Sequence, residues 1–292
     1  MKKILILGAT GMLGSAVYDV LKDKYELILA VRDKEKINLL NQKYGGADNH
    51  KVVLFDAEPI YQDYVNKKGS PGEYLSNFLK EAGEVDFVIN AIGITIPYAM
   101  ANPALTLFIN GALPHILAGI FGEKLIHITT DCVYNGKEGF PYDENSLKTP
   151  VDIYGLSKSL GEPDNCLTIR TSIIGRELEG FTGLLEWFLH QKEKEIIGFA
   201  EHYWNGITTK EFGKICDKIM ENRNQFPKTG IYHIFSNSVS KYEMLLKFKD
   251  KFNINCVIKK DRENKVDRTL ATVKDLNSGL RIPTFNQMID GL

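Results

Sequence analysis

Cysteine is scarce and scattered. Cys132, Cys166, Cys216 and Cys256 lie 34, 50 and 40 residues apart. No CxxC pair or Cys/His cluster occurs, so neither a zinc site nor a disulfide scaffold is expected, and single thiols suit a reducing cytosol. An excess of one charge is also missing, since 36 Lys and Arg against 37 Asp and Glu leave −1. Nucleic-acid binders usually carry a basic surplus, so no nucleic-acid partner is expected. There is no internal repeat and no Ser/Gly-rich linker. Met1 to Leu7 begins like a signal peptide, but its apolar run, Ile4 to Leu7, ends after four residues at a segment carrying Gly8, Gly11 and Gly14. Phe87 to Gly122 holds no Asp, Glu, Lys or Arg, yet Pro97, Pro103 and Pro114 with Asn90, Asn102 and Asn110 interrupt it. A spanning helix wants about 20 predominantly apolar residues, so this stretch reads as protein core. The expectation is a soluble, cytoplasmic chain with no membrane partner.

What is present is a chain of 292 residues, 43% hydrophobic and 25% charged. A globule of that size buries roughly three-quarters of its unfolded surface and needs no metal or disulfide for support. Short apolar runs at Lys3 to Leu7, Glu26 to Val31, Val52 to Phe55, Asp86 to Asn90, Leu125 to Thr129 and Cys166 to Ile169 read as strands. Helical patterns at Glu35 to Tyr44, Glu73 to Ala82 and Ala104 to Phe121 lie between them. That alternation predicts βαβ units in a doubly wound parallel α/β sheet. The pattern loosens after about Gly175. Helices are expected at Gly183 to Lys194, Thr209 to Asn222 and Lys241 to Phe252, with short strands at Ile231 to Phe235 and Asn255 to Ile258. The organisation expected is a sheet domain over 1–170 and a smaller α/β part over 171–292 packed upon it, with segments free to interleave.

Gly8-Ala9-Thr10-Gly11-Met12-Leu13-Gly14 stands between the first strand and the first helix, the context in which a glycine-rich turn binds a dinucleotide. One glycine permits the turn, one lets backbone approach pyrophosphate, and one packs helix on strand, while helix N-terminal amides face the negative charge. The spacing is GxxGxxG in place of GxGxxG, and an unliganded turn is the bland alternative. Arg32 follows the second strand, where an acid would bond the ribose hydroxyl of NAD. A guanidinium there suits a 2′-phosphate, so NADP(H) is preferred and NAD(H) stays open, Asp33 being one place late. Asp56 and Ala57, after the third strand, are candidates for the adenine side. Asn90-Ala91-Ile92-Gly93, after the fourth, is small enough for backbone to pass a ribose.

Tyr154-Gly155-Leu156-Ser157-Lys158 is a YxxxK pattern whose i and i+4 side chains share one helical face. A phenol near pKa 10 exchanges protons poorly at neutral pH, and a nearby ammonium favours its ionised form. Thr130, in Thr129-Thr130-Asp131 at the end of the fifth strand, can reach the same substrate oxygen, because ligands bind beyond the carboxyl ends of strands in open α/β sheets. Capping of a turn is its alternative role. Past the sixth strand, Arg176, His202 and Trp204 are candidates for a nucleotide diphosphate and base, with an ion pair and a core aromatic as the plainer readings.

In this order GxxGxxG, the NAxG-type turn, TTD and YxxxK resemble the extended short-chain dehydrogenase/reductases. Asp131-Cys-Val-Tyr-Asn-Gly136, Tyr154-Gly-Leu-Ser-Lys158 and Gly161-Glu162 are similar to the dTDP-4-dehydrorhamnose reductase branch, and Trp204-Asn-Gly-Ile-Thr-Thr209 extends the likeness faintly. The resemblance implies a Rossmann-type fold, catalytic roles for Thr130, Tyr154 and Lys158, contact of Lys158 with the nicotinamide ribose, and a sugar pocket lined by Asp131 and Cys132. It implies NADPH-dependent reduction of a nucleotide-linked 4-keto-6-deoxy sugar, with no metal. Cys132 departs from the branch, which usually has an aromatic residue there, and from the dehydratases, which carry Glu. A non-catalytic NADP(H)-binding regulatory subunit and a sugar-nucleotide epimerase or dehydratase are the alternatives. The family often forms homodimers through the helices after strands four and five; the charge-free stretch suits that face and a core helix equally.

Overall fold

The computed structural model describes residues 1–66, 72–180 and 182–292. In chain order the strands are β1 (Lys3–Leu7), β2 (Glu26–Val31), β3 (Lys51–Leu54), β4 (Phe87–Asn90), β5 (Leu125–Thr129), β6 (Leu167–Arg170), β7 (Ile173–Ile174), β8 (Glu195–Trp204), β9 (Ile207–Thr208), β10 (Gly230–His233), β11 (Val239–Ser240) and β12 (Val257–Asp267). Seven of them form one sheet in the order β10-β6-β5-β4-β1-β2-β3, and every neighbouring pair is parallel. The chain winds outward from β1 to β3, then returns to place β4 on the other side of β1. That reversal opens a crevice at the carboxyl ends of β1 and β4, where a doubly wound sheet takes its ligands.

Alternate residues of the central strands feed opposite faces. Ile4, Ile6, Leu27 and Leu29 meet Val17, Leu21, Phe212 and Ile215 on one side. Leu5, Leu7, Ile28 and Val88 meet Leu75, Phe78, Leu113 and Leu117 on the other. Each such side chain, fully buried, contributes about 1.5–3 kcal/mol. The C-terminal part shares this core, because β10 pairs with β6 and the helix Thr209–Glu221 packs on the helix Met12–Leu21, so close that a Cβ on Gly213 would stand 3.0 Å from Val20. Residues 171–292 thus add a strand to the principal sheet, an interleaving that the expected organisation left open. They also form a three-stranded sheet, β11-β8-β12, over a core of Leu185, Phe188, Trp204, Met244, Phe248 and Phe285.

The helix expected through Ala104 to Phe121 is segmented into Pro103–Thr106, a π-helical turn Leu107–Ala112, and Leu113–Phe121. Pro114 has no N–H to return to the Asn110 carbonyl, so the ladder opens there. By length and composition Pro103–Lys124 is apolar enough to cross a membrane, but half of it is buried within the protein. Shorter than expected is Leu184–Leu189, and β12 runs to Asp267 where only Asn255 to Ile258 read as strand.

Candidate active site

The turn after β1 is built for close approach. Gly8 has φ +79°, and a Cβ on Gly14 would fall 2.1 Å from the Gly8 carbonyl oxygen, so only glycine lets this helix start against the strand. Gly8 N–H and Ala9 N–H both donate to the Ala30 carbonyl, at 3.0 and 3.1 Å, clamping the turn to β2. The helix Met12–Leu21 begins at Gly11 with no capping side chain and no acid in its first turn. Gly11 N–H donates to the Gly8 carbonyl at 3.0 Å and Ser15 N–H to the Gly11 carbonyl at 2.9 Å, so the first-turn amides between them, Met12 to Gly14, are the helix donors that suit an anion. Arg32 is exposed at the end of β2, while Asp33 is spent capping the next turn by accepting from Glu35 N–H at 2.8 Å. Asp56 likewise accepts from Glu58 N–H at 3.0 Å, with Ala57 buried behind it.

The β4 turn is held by a closed polar network. Asn90 accepts from Ile92 N–H at 3.1 Å, and its amide donates to His127 Nδ1, also at 3.1 Å. His127 Nε2 faces the Gly161 carbonyl at 3.0 Å; a carbonyl only accepts, so the proton sits on Nε2. Burial holds this imidazole neutral, its pKa pushed down to about 3. Asn110, which the sequence reading passed over as one interruption among several, brackets Ile94 by accepting from its N–H at 2.8 Å and donating to its carbonyl at 2.9 Å, and it also donates to Ser157 Oγ at 3.2 Å. An asparagine inside an apolar helix was the available signal. These bonds tie the turn to the helix Ile153–Leu160.

That helix is capped by Asp152, which accepts from Gly155 N–H at 2.7 Å. A Cβ on Gly155 would lie 2.3 Å from the Cys132 carbonyl, so the helix start is pressed against the turn after β5. Tyr154 is thereby set beside Thr130. Burial pushes its phenol above the ordinary value; Cys132, Asp131 and Asp152 push the same way, and only a hydrogen bond with Thr130 opposes them. Thr130 accepts from Cys132 N–H at 3.2 Å, capping that turn, and donates to Asp131 Oδ1 at 3.1 Å. The Cys132 thiol, also beside Asp131, is pushed up to about 12 by burial and stays protonated.

Lys158, four residues on, is 6% exposed. Its Nζ stands at Gly93, where a Cβ would come within 2.9 Å, and among the described residues nothing hydrogen-bonds to it. Burial lowers its pKa to about 8, opposed only by Glu162. An unpaired ammonium on a buried lysine facing a glycine turn, together with the first-turn helix amides, is a donor set that fits an anionic, hydroxyl-rich dinucleotide. Lys158 and Gly93 would take its ribose, Gly8 to Gly14 its diphosphate, and Arg32 its outer phosphate.

Behind this surface lies a buried charge network. Arg170 donates to Glu162 through Nε at 2.9 Å and Nη2 at 2.6 Å, and through Nη1 to Tyr134 Oη at 2.6 Å and His233 Nε2 at 2.7 Å. The Gly161–Glu162 motif is therefore a brace for the end of β6.

The substrate-side candidates separate. Arg176 donates to Glu186 at 2.6 Å and lies over Phe252, so it meets its plainer reading and is not brought to Thr130 and Tyr154. Trp204 is buried, edge-on to Phe285, and lines a cleft of about 80 Å³ with Met12, Ser172, Ile174, Gly183 and Lys241. Lys241 and Arg268, unmarked in the sequence reading, face Asp131 and Cys132 from the C-terminal part.

A doubly wound sheet carrying a Thr–Tyr–Lys set beyond β5 defines a Rossmann-type protein of the extended short-chain dehydrogenase/reductase kind. Residues 68–270 match the family described as the RmlD substrate binding domain, and the chain belongs to that family. It is 33% identical over 200 residues to dTDP-4-dehydrorhamnose reductase of Burkholderia thailandensis, covering 63% of this chain and 66% of that one. It is 26% identical over 268 residues to methionine adenosyltransferase 2 subunit beta of Xenopus tropicalis, covering 87% and 73%. The crystal structure of dTDP-4-dehydrorhamnose reductase from Bacillus anthracis in complex with NADP shares the fold at TM-score 0.65 and 17% identity, covering 99% of this chain and 98% of that one.

Proposed function

We propose that this protein is an NADPH-dependent reductase of the keto group of a nucleotide-linked 4-keto-6-deoxy sugar. The observation that carries the reading is that Tyr154 stands beside Thr130 while Lys158, one helical turn on, directs its ammonium to Gly93 in the turn after β4. The Burkholderia relative, named for such a reduction, supports the substrate class, and the NADP complex of the Bacillus anthracis enzyme supports the cofactor. Bound NADPH supplies the reducing equivalent. Tyr154, with its pKa raised, is fully protonated at neutral pH and acts as the acid, giving its proton to the carbonyl oxygen as charge develops there. Thr130, turning its single hydroxyl proton from Asp131 to the substrate, holds the same oxygen by a hydrogen bond that strengthens with that charge. Lys158 is mainly an ammonium at pH 7 and holds the ribose hydroxyls, while Asp131 and Cys132 border the sugar.

A neutral thiol at position 132 offers no carboxylate for elimination, which disfavours dehydration. The second reading, a non-catalytic NADP(H)-binding subunit, is favoured by the match to a protein named as a subunit. Loss of NADPH absorbance with a panel of nucleotide-linked keto sugars separates the two: turnover supports the reductase, and NADPH binding without turnover supports the subunit.

A further inference from the structure

The face of the sheet towards Leu113 and Leu117 is apolar until its carboxyl end, where one row turns polar. Asn90 of β4, His127 of β5 and Thr168 of β6 are register partners, and all three are at most 1% exposed. Two residues before each stand Val88, Leu125 and Cys166, all in the apolar core. Three buried polar side chains in such a place are costly unless each finds a partner, and each does. They take hold of the segment that leaves the helix Ile153–Leu160. His127 Nε2 donates to the Gly161 carbonyl at 3.0 Å, and Thr168 Oγ1 donates to the Pro163 carbonyl at 2.6 Å. Gly161 N–H donates back to the Lys158 carbonyl at 3.1 Å, so the anchored residue is bonded directly to the one carrying the ammonium. A Cβ on Gly161 would fall 1.8 Å from the Asn110 carbonyl oxygen, which leaves this end of the helix no slack.

An aliphatic residue at position 127 would continue the apolar face at no polar cost. An imidazole instead offers one donor and one acceptor on different edges of a rigid ring. With the proton on Nε2 for Gly161, Nδ1 is left to accept, so Asn90 must present its amide nitrogen there, at 3.1 Å. The Asn90 oxygen is thereby turned to the Ile92 N–H, also at 3.1 Å, inside the turn that ends at Gly93. One tautomer thus shapes the turn and grips the helix together. Burial, with Lys158 nearby, keeps a second proton off the ring, so that tautomer persists at neutral pH. We propose that His127, with Thr168 as a second anchor, is a positioning residue that sets the gap between the Lys158 ammonium and the turn along which the cofactor ribose lies. The assignment rests on the cofactor reading above and concerns binding, not turnover.

Calorimetric titration of the whole protein with NADPH and with adenosine 2′,5′-bisphosphate, which lacks the nicotinamide ribose, tests the proposal. His127→Asn reaches only as far as Nδ1 and gives up the Gly161 carbonyl. It should weaken NADPH binding about tenfold, the lower end for a hydrogen bond to a charged group, and leave the bisphosphate unchanged. His127→Gln, which keeps a donor at the reach of Nε2, should restore most of the NADPH affinity. Equal weakening of both ligands by His127→Asn is general loosening and overturns the assignment, as does NADPH binding equal to wild type. Should His127→Asn fail to fold, Thr168→Val, which removes only the Pro163 tie, should show a smaller loss confined to NADPH; no such loss overturns the assignment. A wild type that takes up no NADPH overturns this assignment together with the cofactor reading. NADPH bound with the selective loss but never oxidised refutes the reductase reading and leaves this one standing.

Discussion

Lys158→Met in the cofactor-free protein should produce a more stable enzyme that no longer works. Folding carries the Lys158 pKa from its ordinary 10.5 to about 8, because burial removes water and Glu162, already shared with Arg170, compensates little. At 1.36 kcal/mol for each tenfold change, holding the charge in place costs about 3 kcal/mol at neutral pH. The sign follows from proton binding. Between pH 8 and 10.5 the unfolded chain holds the lysine proton that the folded chain has released, so wild-type stability gains with pH across that window; below pH 8 the penalty is complete. Methionine has a similar reach and no charge. Urea unfolding followed by circular dichroism should find the variant about 2–3 kcal/mol more stable at pH 7, with the gap closing towards pH 10.5, since other titrating groups cancel in the comparison. NADPH should protect wild type and fail to protect the variant. A variant less stable than wild type at pH 7, or a gap indifferent to pH, would refute the reasoning.

Tyr154→Phe removes the proton donor and should lower kcat by about 10²–10⁴ while NADPH titration by fluorescence is unchanged. Gly14→Ala drives a Cβ to 2.1 Å from the Gly8 carbonyl, so NADPH affinity and melting temperature should fall together, whereas alanine at the exposed Gly119, with open space around it, should leave both alone. Glu162→Gln leaves the Arg170 guanidinium, 2% exposed, without its counter-charge and should cost about 3–5 kcal/mol in denaturant unfolding. Activity should decline above pH 8 as Lys158 loses its proton, and a pH profile still flat at pH 9.5 would count against its role.

Much of the fold was legible because it is encoded locally. Ile4 to Leu7 is apolar throughout and fully buried, as a strand covered on both faces requires, and a glycine turn and amphipathic helix follow directly. The i, i+4 spacing of Tyr154 and Lys158 likewise needs no tertiary knowledge. What escaped depends on pairing across distance. β10 joins β6 from some 60 residues away, with no periodic mark of its destination. β12 is rich in Lys, Glu and Asp because most of it is exposed, so its sequence does not look like a strand. Lys241 and Arg268 are ordinary surface residues until β8 gathers them beside Asp131, and Arg176, which looked better placed, is taken by Glu186.

The central claim is that Tyr154, set beside Thr130 and served by Lys158, protonates a sugar carbonyl during reduction. Steady-state NADPH consumption by wild type and Tyr154→Phe, with nucleotide-linked 4-keto-6-deoxy sugars, tests it most directly. The account predicts turnover by wild type on at least one such sugar, and a Tyr154→Phe protein that binds NADPH yet consumes almost none. Equal consumption by both proteins, or none by an NADPH-loaded wild type across the panel, would contradict it.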